Sequence, residues 1–547
     1  MNKKLNIITL VLIIIMFLYS LSSAAYYEPQ EYRRSLLEIR DAERALNNLN
    51  KKVKEAESDF KIIDSKEVES NLEELERLYQ EQIQAYQQKK DRRVRELELA
   101  ITNRANQIRM KIIESKPVQL RAFWLDNGTF ANLNGRSGVQ KLLDTVQKAN
   151  FNVIFPETFY KGKTVIPDNE LFIQDSQFEN WEGDPLKILI EEAKKRKIEI
   201  HPWVWVFNEN TSGSPGLILS ENPEWANKDR EGNIVSYHNS TWLSPAREDV
   251  KNFLQQRYLY LVENYDIQGI NLDYIRFPEE YRGSFGYDKR TVERFKEEYG
   301  IDPFEIKSSS SNFSLWNKYR ENLITEMVKQ TSEMLKDVAP ELLISADVIP
   351  GKDEARYRAL QNWSLWLEKD YLDFVIPMTY TENLFSELSR WIKEDRKVID
   401  KALYPGISVF KLTPDQMLDQ LEEVNEINPN GASLFAAAHL KANDFHSLSQ
   451  GVYAHNAVLP YKNKAASLKI IQNFILKRLN LIKEKSGISN SAVIQIRFYL
   501  NQLAQVDSEN MLDFDQYISD NKIELSKNIK KVLQSDFDYL NDIKRLY

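Results

Sequence analysis

From about residue 120 to residue 440, short β-rich runs alternate with amphipathic helical stretches eight times over. Strand-like runs fall at 120–126, 152–158, 198–207, 267–277, 342–347, 374–380, 404–410 and 431–438. Helical patterns lie between them, at 138–149, 185–196, 249–265, 315–338, 384–401 and 414–427 among others. Eight strand–helix units in about 320 residues fit a (β/α)8 TIM barrel with long loops. A doubly wound open sheet is the competing architecture. It is disfavoured because no glycine-rich phosphate loop follows the first strand.

Helical regions flank the barrel. Residues 26–116 carry apolar positions at three- and four-residue spacing, including Ile39, Ala42, Leu46, Leu49 and Val53, then Val94, Leu97, Ile101 and Ile108. That is a coiled-coil or hairpin pattern, with a break at Asp64-Ser65. Residues 459–547 are again helical and carry no chemical motif. The expected divisions are 1–25, 26–116, 117–458 and 459–547. The first is read as a signal peptide. Lys3 and Lys4 precede an almost unbroken apolar run over residues 5–21, and Ser22-Ser23-Ala24-Ala25 offers a cleavage site. The same run could serve as an uncleaved membrane anchor. A secreted or cell-envelope protein is therefore expected. The helical patterns also allow self-association.

Composition excludes several classes. The net charge of -8 removes the basic footprint of a nucleic-acid binder. With no cysteine there is no thiolate nucleophile, disulfide or cysteine-ligated zinc. The five histidines show no ligand spacing, so neither a metal nor any other cofactor is expected.

In this barrel class the reacting groups sit at the C-terminal ends of strands. The acids there are Asp126, Glu157, Asp273 and Asp347, with Glu382 just beyond the sixth strand. Glycosidic hydrolysis needs one protonated and one ionised carboxyl group. Asp273 is the leading candidate for the ionised one, because it ends an apolar strand where an unpaired charge would be costly. Arg276 and Tyr274 stand close enough in sequence to hold it. Asp347, Glu157 and Glu382 are candidate proton donors. Trp203 and Trp205 alternate on the third strand and point to one side. They and Tyr380 are candidate sugar platforms, though core packing is the commoner fate of such residues. Asp126 and His439 are candidate hydrogen-bonding partners of substrate.

At these residues the chain resembles the family-10-like glycosyl hydrolases of bacteria. The closest segment is Tyr265-Asp-Ile-Gln-Gly-Ile-Asn-Leu-Asp-Tyr-Ile-Arg-Phe-Pro278, similar to that family's fourth-strand signature. Supporting segments are Leu120-Arg-Ala-Phe-Trp-Leu125, Ile200-His-Pro-Trp-Val-Trp205, Asn222-Pro-Glu-Trp225, Trp242-Leu-Ser-Pro245 and Val375-Ile-Pro-Met-Thr-Tyr380. The resemblance spans about residues 118–445. It implies a (β/α)8 barrel that hydrolyses glycosidic bonds in cell-envelope or extracellular glycans, with Asp273 as the signature acid. Tyr274 stands where many members carry a second acid, and Pro377-Met378 replaces Pro-Gln. The expected protein is thus an exported hydrolase acting on a polysaccharide. The rival expectation is a non-catalytic glycan-binding or scaffold protein with a degenerate barrel.

Overall fold

The computed structural model describes residues 30–236, 238–279, 285–486, 488–504 and 513–546. The expected signal segment lies outside them. Among the described residues no helix is long and apolar enough to cross a membrane. The chain divides into two compact units, residues 1–113 and 114–547.

Among the described residues the first unit holds three helices: α1 (Gln30–Ser58), α2 (Ser65–Gln87) and α3 (Asp91–Lys111). Asp64 caps α2 by accepting from the Glu67 N–H at 3.1 Å. The second turn carries neither glycine nor proline. It is made by Lys89 at φ 57, flanked by bonds from Lys89 N to Tyr86 O and Lys90 N to Ala85 O. The apolar stripes are spent inside this unit, where Ala42, Leu49, Val53, Leu75, Tyr79, Ile101 and Ile108 are buried together.

The second unit holds the barrel. Its strands are β1 (Leu120–Leu125), β2 (Val153–Tyr160), β3 (Glu199–Ile200 with Trp203–Trp205), β4 (Gly269–Asp273), β5 (Leu343–Val348), β6 (Phe374–Pro377), β7 (Ala402–Leu403 with Gly406–Ser408) and β8 (Gly431–Phe435). Every neighbouring pair among them is parallel. The first half of β7 pairs with β6 and the second half with β8, and β1 pairs with β8, so the ring closes. Pro202 and Pro405 interrupt β3 and β7, because proline donates no ladder hydrogen bond. Nearly every strand residue is buried, as parallel sheets covered by helices require.

The helices of residues 464–546 belong to the barrel's unit. They are anchored at the N-terminal end of β1. Tyr539 donates its hydroxyl to Val118 O at 2.6 Å and accepts from Val118 N at 3.0 Å. Buried Arg478 donates to Glu114 (2.7 and 2.8 Å) and to Asp536 (2.8 and 3.1 Å). Lys116 completes the charge balance, 2.9 Å from Glu114.

Candidate active site

Three acids meet inside the barrel mouth. Leu272 pairs with Ala346, so Asp273 and Asp347 stand one step further along adjacent strands, about 4.8 Å apart at the backbone. Glu157 pairs with Trp203 on the side of β3 away from β4, where Asp273 pairs with Trp205. All three are nearly buried, at 7%, 3% and 5% exposure for Asp273, Asp347 and Glu157.

Indole N–H groups hold the aspartates. Trp203 Nε1 donates to Asp273 Oδ2 at 3.1 Å, and Trp124 Nε1 to Asp347 Oδ2 at 3.2 Å. Asn271 lies two residues before Asp273 on the same strand face. Its Nδ2 donates to Asp347 Oδ1 at 3.1 Å and so ties the two strands together. The Tyr274 N–H donates to Asp273 Oδ1 at 2.6 Å, with Tyr274 itself at φ 53. Backbone strain of that kind collects where the surroundings enforce it, and here it turns the chain out of β4 immediately after the acid. Glu157 Oε2 accepts from Asn127 N at 2.9 Å. Among the described residues no donor reaches its Oε1.

Burial sets the proton affinities. It pushes Glu157 up to about 7, against the Asn127 N–H bond, with the charges of Asp126 and Asp273 adding to the rise. It pushes Asp273 up to about 6, opposed by the Arg276 charge and by the two N–H bonds. Asp347 is raised well above the usual carboxylate range, by burial first and by the charge of Asp273 second. Two carboxylates this close do not both ionise readily, so near neutrality the pair carries one proton.

The remaining sequence candidates divide. Tyr380 is half-buried beside the pair. Its hydroxyl is held well above its ordinary value by burial and by the charges of Asp347 and Asp273. Trp205 packs on Tyr274 with ring centroids 4.8 Å apart. The Arg276 guanidinium lies over Tyr274 and Trp242, at 5.4 and 5.2 Å. Asp126 already holds two backbone N–H groups. It caps the short helix Asn127–Ala131 through Thr129 N and accepts from Ala438 N, each at 2.9 Å. His439 is exposed, its ring 5.6 Å from Phe410. Glu382 is exposed too and enters the electrostatics of neither aspartate, because the chain leaves the barrel wall after Met378. His201 lies at the barrel's other end, its Nε2 3.3 Å from Glu199 Oε2. Among the described residues no three His, Asp or Glu side chains cluster as a metal site.

Sequence reasoning missed three positions. Asn271 was findable, since period-two alternation puts it on the face of Asp273. Phe435 carries no local signal, yet its ring touches those of Trp124, Trp203 and Tyr380 at 5.5, 6.0 and 5.4 Å. Gly406 matters by what it lacks. A Cβ there would stand 3.2 Å from Trp124 Cη2 and 3.5 Å from Tyr380. Gly406→Val should therefore displace Trp124 and release Asp347, at a cost of about 1–3 kcal/mol in stability. Chemical denaturation measures this, and an unchanged midpoint would contradict it.

A closed parallel barrel with buried acids at the C-terminal ends of its strands is an architecture that glycoside hydrolases share with many other enzymes. The chain belongs to the glycosyl hydrolase-like 10 family, whose profile matches residues 119–419. It is 23% identical over 443 residues to glycosyl hydrolase YngK of Bacillus subtilis, covering 70% of this chain and 82% of that one. It is 22% identical over 312 residues to glycosyl hydrolase DigH of Escherichia coli strain K12, covering 51% and 68%. Among solved structures, the glycoside hydrolase domain of PgaB from Bordetella bronchiseptica superposes with a TM-score of 0.50 at 11% identity. That match covers 62% of this chain and 99% of the domain, and it bears on the fold.

Proposed function

We propose that this protein is an exported glycoside hydrolase that cleaves glycosidic bonds in a cell-envelope or extracellular polysaccharide, such as peptidoglycan glycan strands or an exopolysaccharide. The observation that carries the reading is the convergence of three buried carboxyl groups whose surroundings separate their protonation states.

Asp273 is the ionised group that attacks the sugar or activates water. Its two N–H donors and the Arg276 charge favour the carboxylate. Glu157 is the proton donor. It holds a proton up to about pH 7, and its Oε1 is uncommitted. Asp347 is a positioning residue. Both of its oxygens accept side-chain N–H bonds, and burial together with the charge of Asp273 raises its proton affinity. A donor should match its operating pH, and Glu157 does so.

The leaving group tests the role of Glu157. Glu157→Gln should lose about 10²- to 10⁴-fold in reducing-end release from peptidoglycan strands or exopolysaccharide. The same variant should keep most of its turnover on an activated aryl glycoside, whose phenolate departs without protonation. Equal losses on both substrates would remove Glu157 as donor. Wild-type protein that binds these glycans yet releases no ends would favour a non-catalytic binding protein.

A further inference from the structure

The acids are walled differently on their two sides. Toward β3 and β4 the rings of Trp205 and Trp242 are buried. Toward β7 and β8 the aromatic wall runs outward instead. Phe435 carries it from the two tryptophans that hold the aspartates to Tyr380 and on to Phe410, 6.2 Å away. Phe410 sits in the turn Val409–Lys411 just beyond β7, and it is 45% exposed.

A single exposed phenylalanine is ordinary on a protein surface. This one is braced on three sides, by Phe435, by Tyr380 at 5.9 Å and by His439 at 5.6 Å. The Lys411 ammonium stands 5.6 Å from its ring centroid. A braced ring loses little entropy when a ligand settles on it. A sugar ring offers such a platform an apolar C–H face, with hydroxyls at its edge within reach of an ammonium group and an imidazole.

We infer that Phe410 is the platform of an outer sugar subsite, so that the glycan leaves the acids across the β7–β8 rim. This rests on the reading of the barrel as a glycan-acting site. It adds a direction for the bound chain and a reason to favour polymers over short fragments. His439 and Lys411 serve the same subsite as hydrogen-bond donors to sugar oxygens.

The test uses the full chain carrying Asp273→Asn, so that nothing is turned over. Calorimetry measures its affinity for peptidoglycan glycan strands and for an acidic exopolysaccharide, each sorted into short and long fragments. With Phe410→Ala added, affinity for long fragments should fall about tenfold, affinity for the shortest should hold, and Phe410→Trp should restore binding. Phe498→Ala, at a remote phenylalanine that is 60% exposed, should change nothing. Unchanged binding of long fragments by the Phe410→Ala protein overturns the subsite. If the parent binds neither glycan at any length, the hydrolase reading beneath it falls as well. End release by wild type together with indifference to Phe410 overturns the subsite alone.

Discussion

Replacing Asp273 with asparagine is expected to cut reducing-end release by at least about 10³-fold while leaving the barrel folded and more stable. The side chain keeps its shape and its bond from Trp203, while its amide nitrogen faces the Tyr274 N–H and gives up that bond. What disappears is the negative charge that the mechanism needs and that burial opposes. Removing it also relieves Asp347, whose proton affinity is raised partly by that charge. The pH dependence carries a definite sign. A carboxyl whose folded value lies above its unfolded value stabilises the fold while protonated. That contribution is complete below the unfolded value and is lost as pH rises to the folded one. For Asp273 the window runs from 3.8 to about 6. The stability advantage of the variant over wild type should therefore grow as pH is raised through that window. Thermal unfolding at a series of pH values measures it. A variant less stable than wild type at pH 7 would place Asp273 in a structural ion pair.

The second large effect concerns stability and lies far from the mouth. Arg478→Ala should destabilise the barrel unit by about 3–5 kcal/mol, because it leaves Glu114 and Asp536 buried without their shared cation. Replacing all four charged residues, Lys116 included, by apolar residues of similar volume should recover much of that loss, since burying the charges is itself costly. Denaturant titration of the single and quadruple variants separates the two contributions. A loss below about 1 kcal/mol for Arg478→Ala would mean that water reaches the cluster.

These two sites differ in how far they could be read from the chain. Asp273 was legible because strands alternate with helices at periods of two and 3.6 residues, and because chemistry in such barrels collects where strands end. The same rule located Asp347 and Glu157. It also nominated Glu382 and Asp126, and it could not tell that β6 stops at Pro377 or that Asp126 turns back to cap a helix. Those outcomes depend on where loops go after the strand. The Arg478 cluster was not legible at all. Its partners lie 364 and 58 residues away, and helical periodicity says nothing about which distant surface a helix covers. In the first unit, the turn at Lys89 went unread because a lysine occupies the left-handed position that glycine usually marks.

The proposed hydrolysis needs two carboxyl groups that keep opposite protonation states over a narrow interval. The pH profile of kcat/KM for end release from glycan strands by wild-type protein reads that interval directly. It should rise through about 6 as Asp273 ionises and fall through about 7 as Glu157 loses its proton. A profile that stays level from pH 5 to pH 8, on the order of the two flanking limbs, would contradict it, as would release of no ends at any pH.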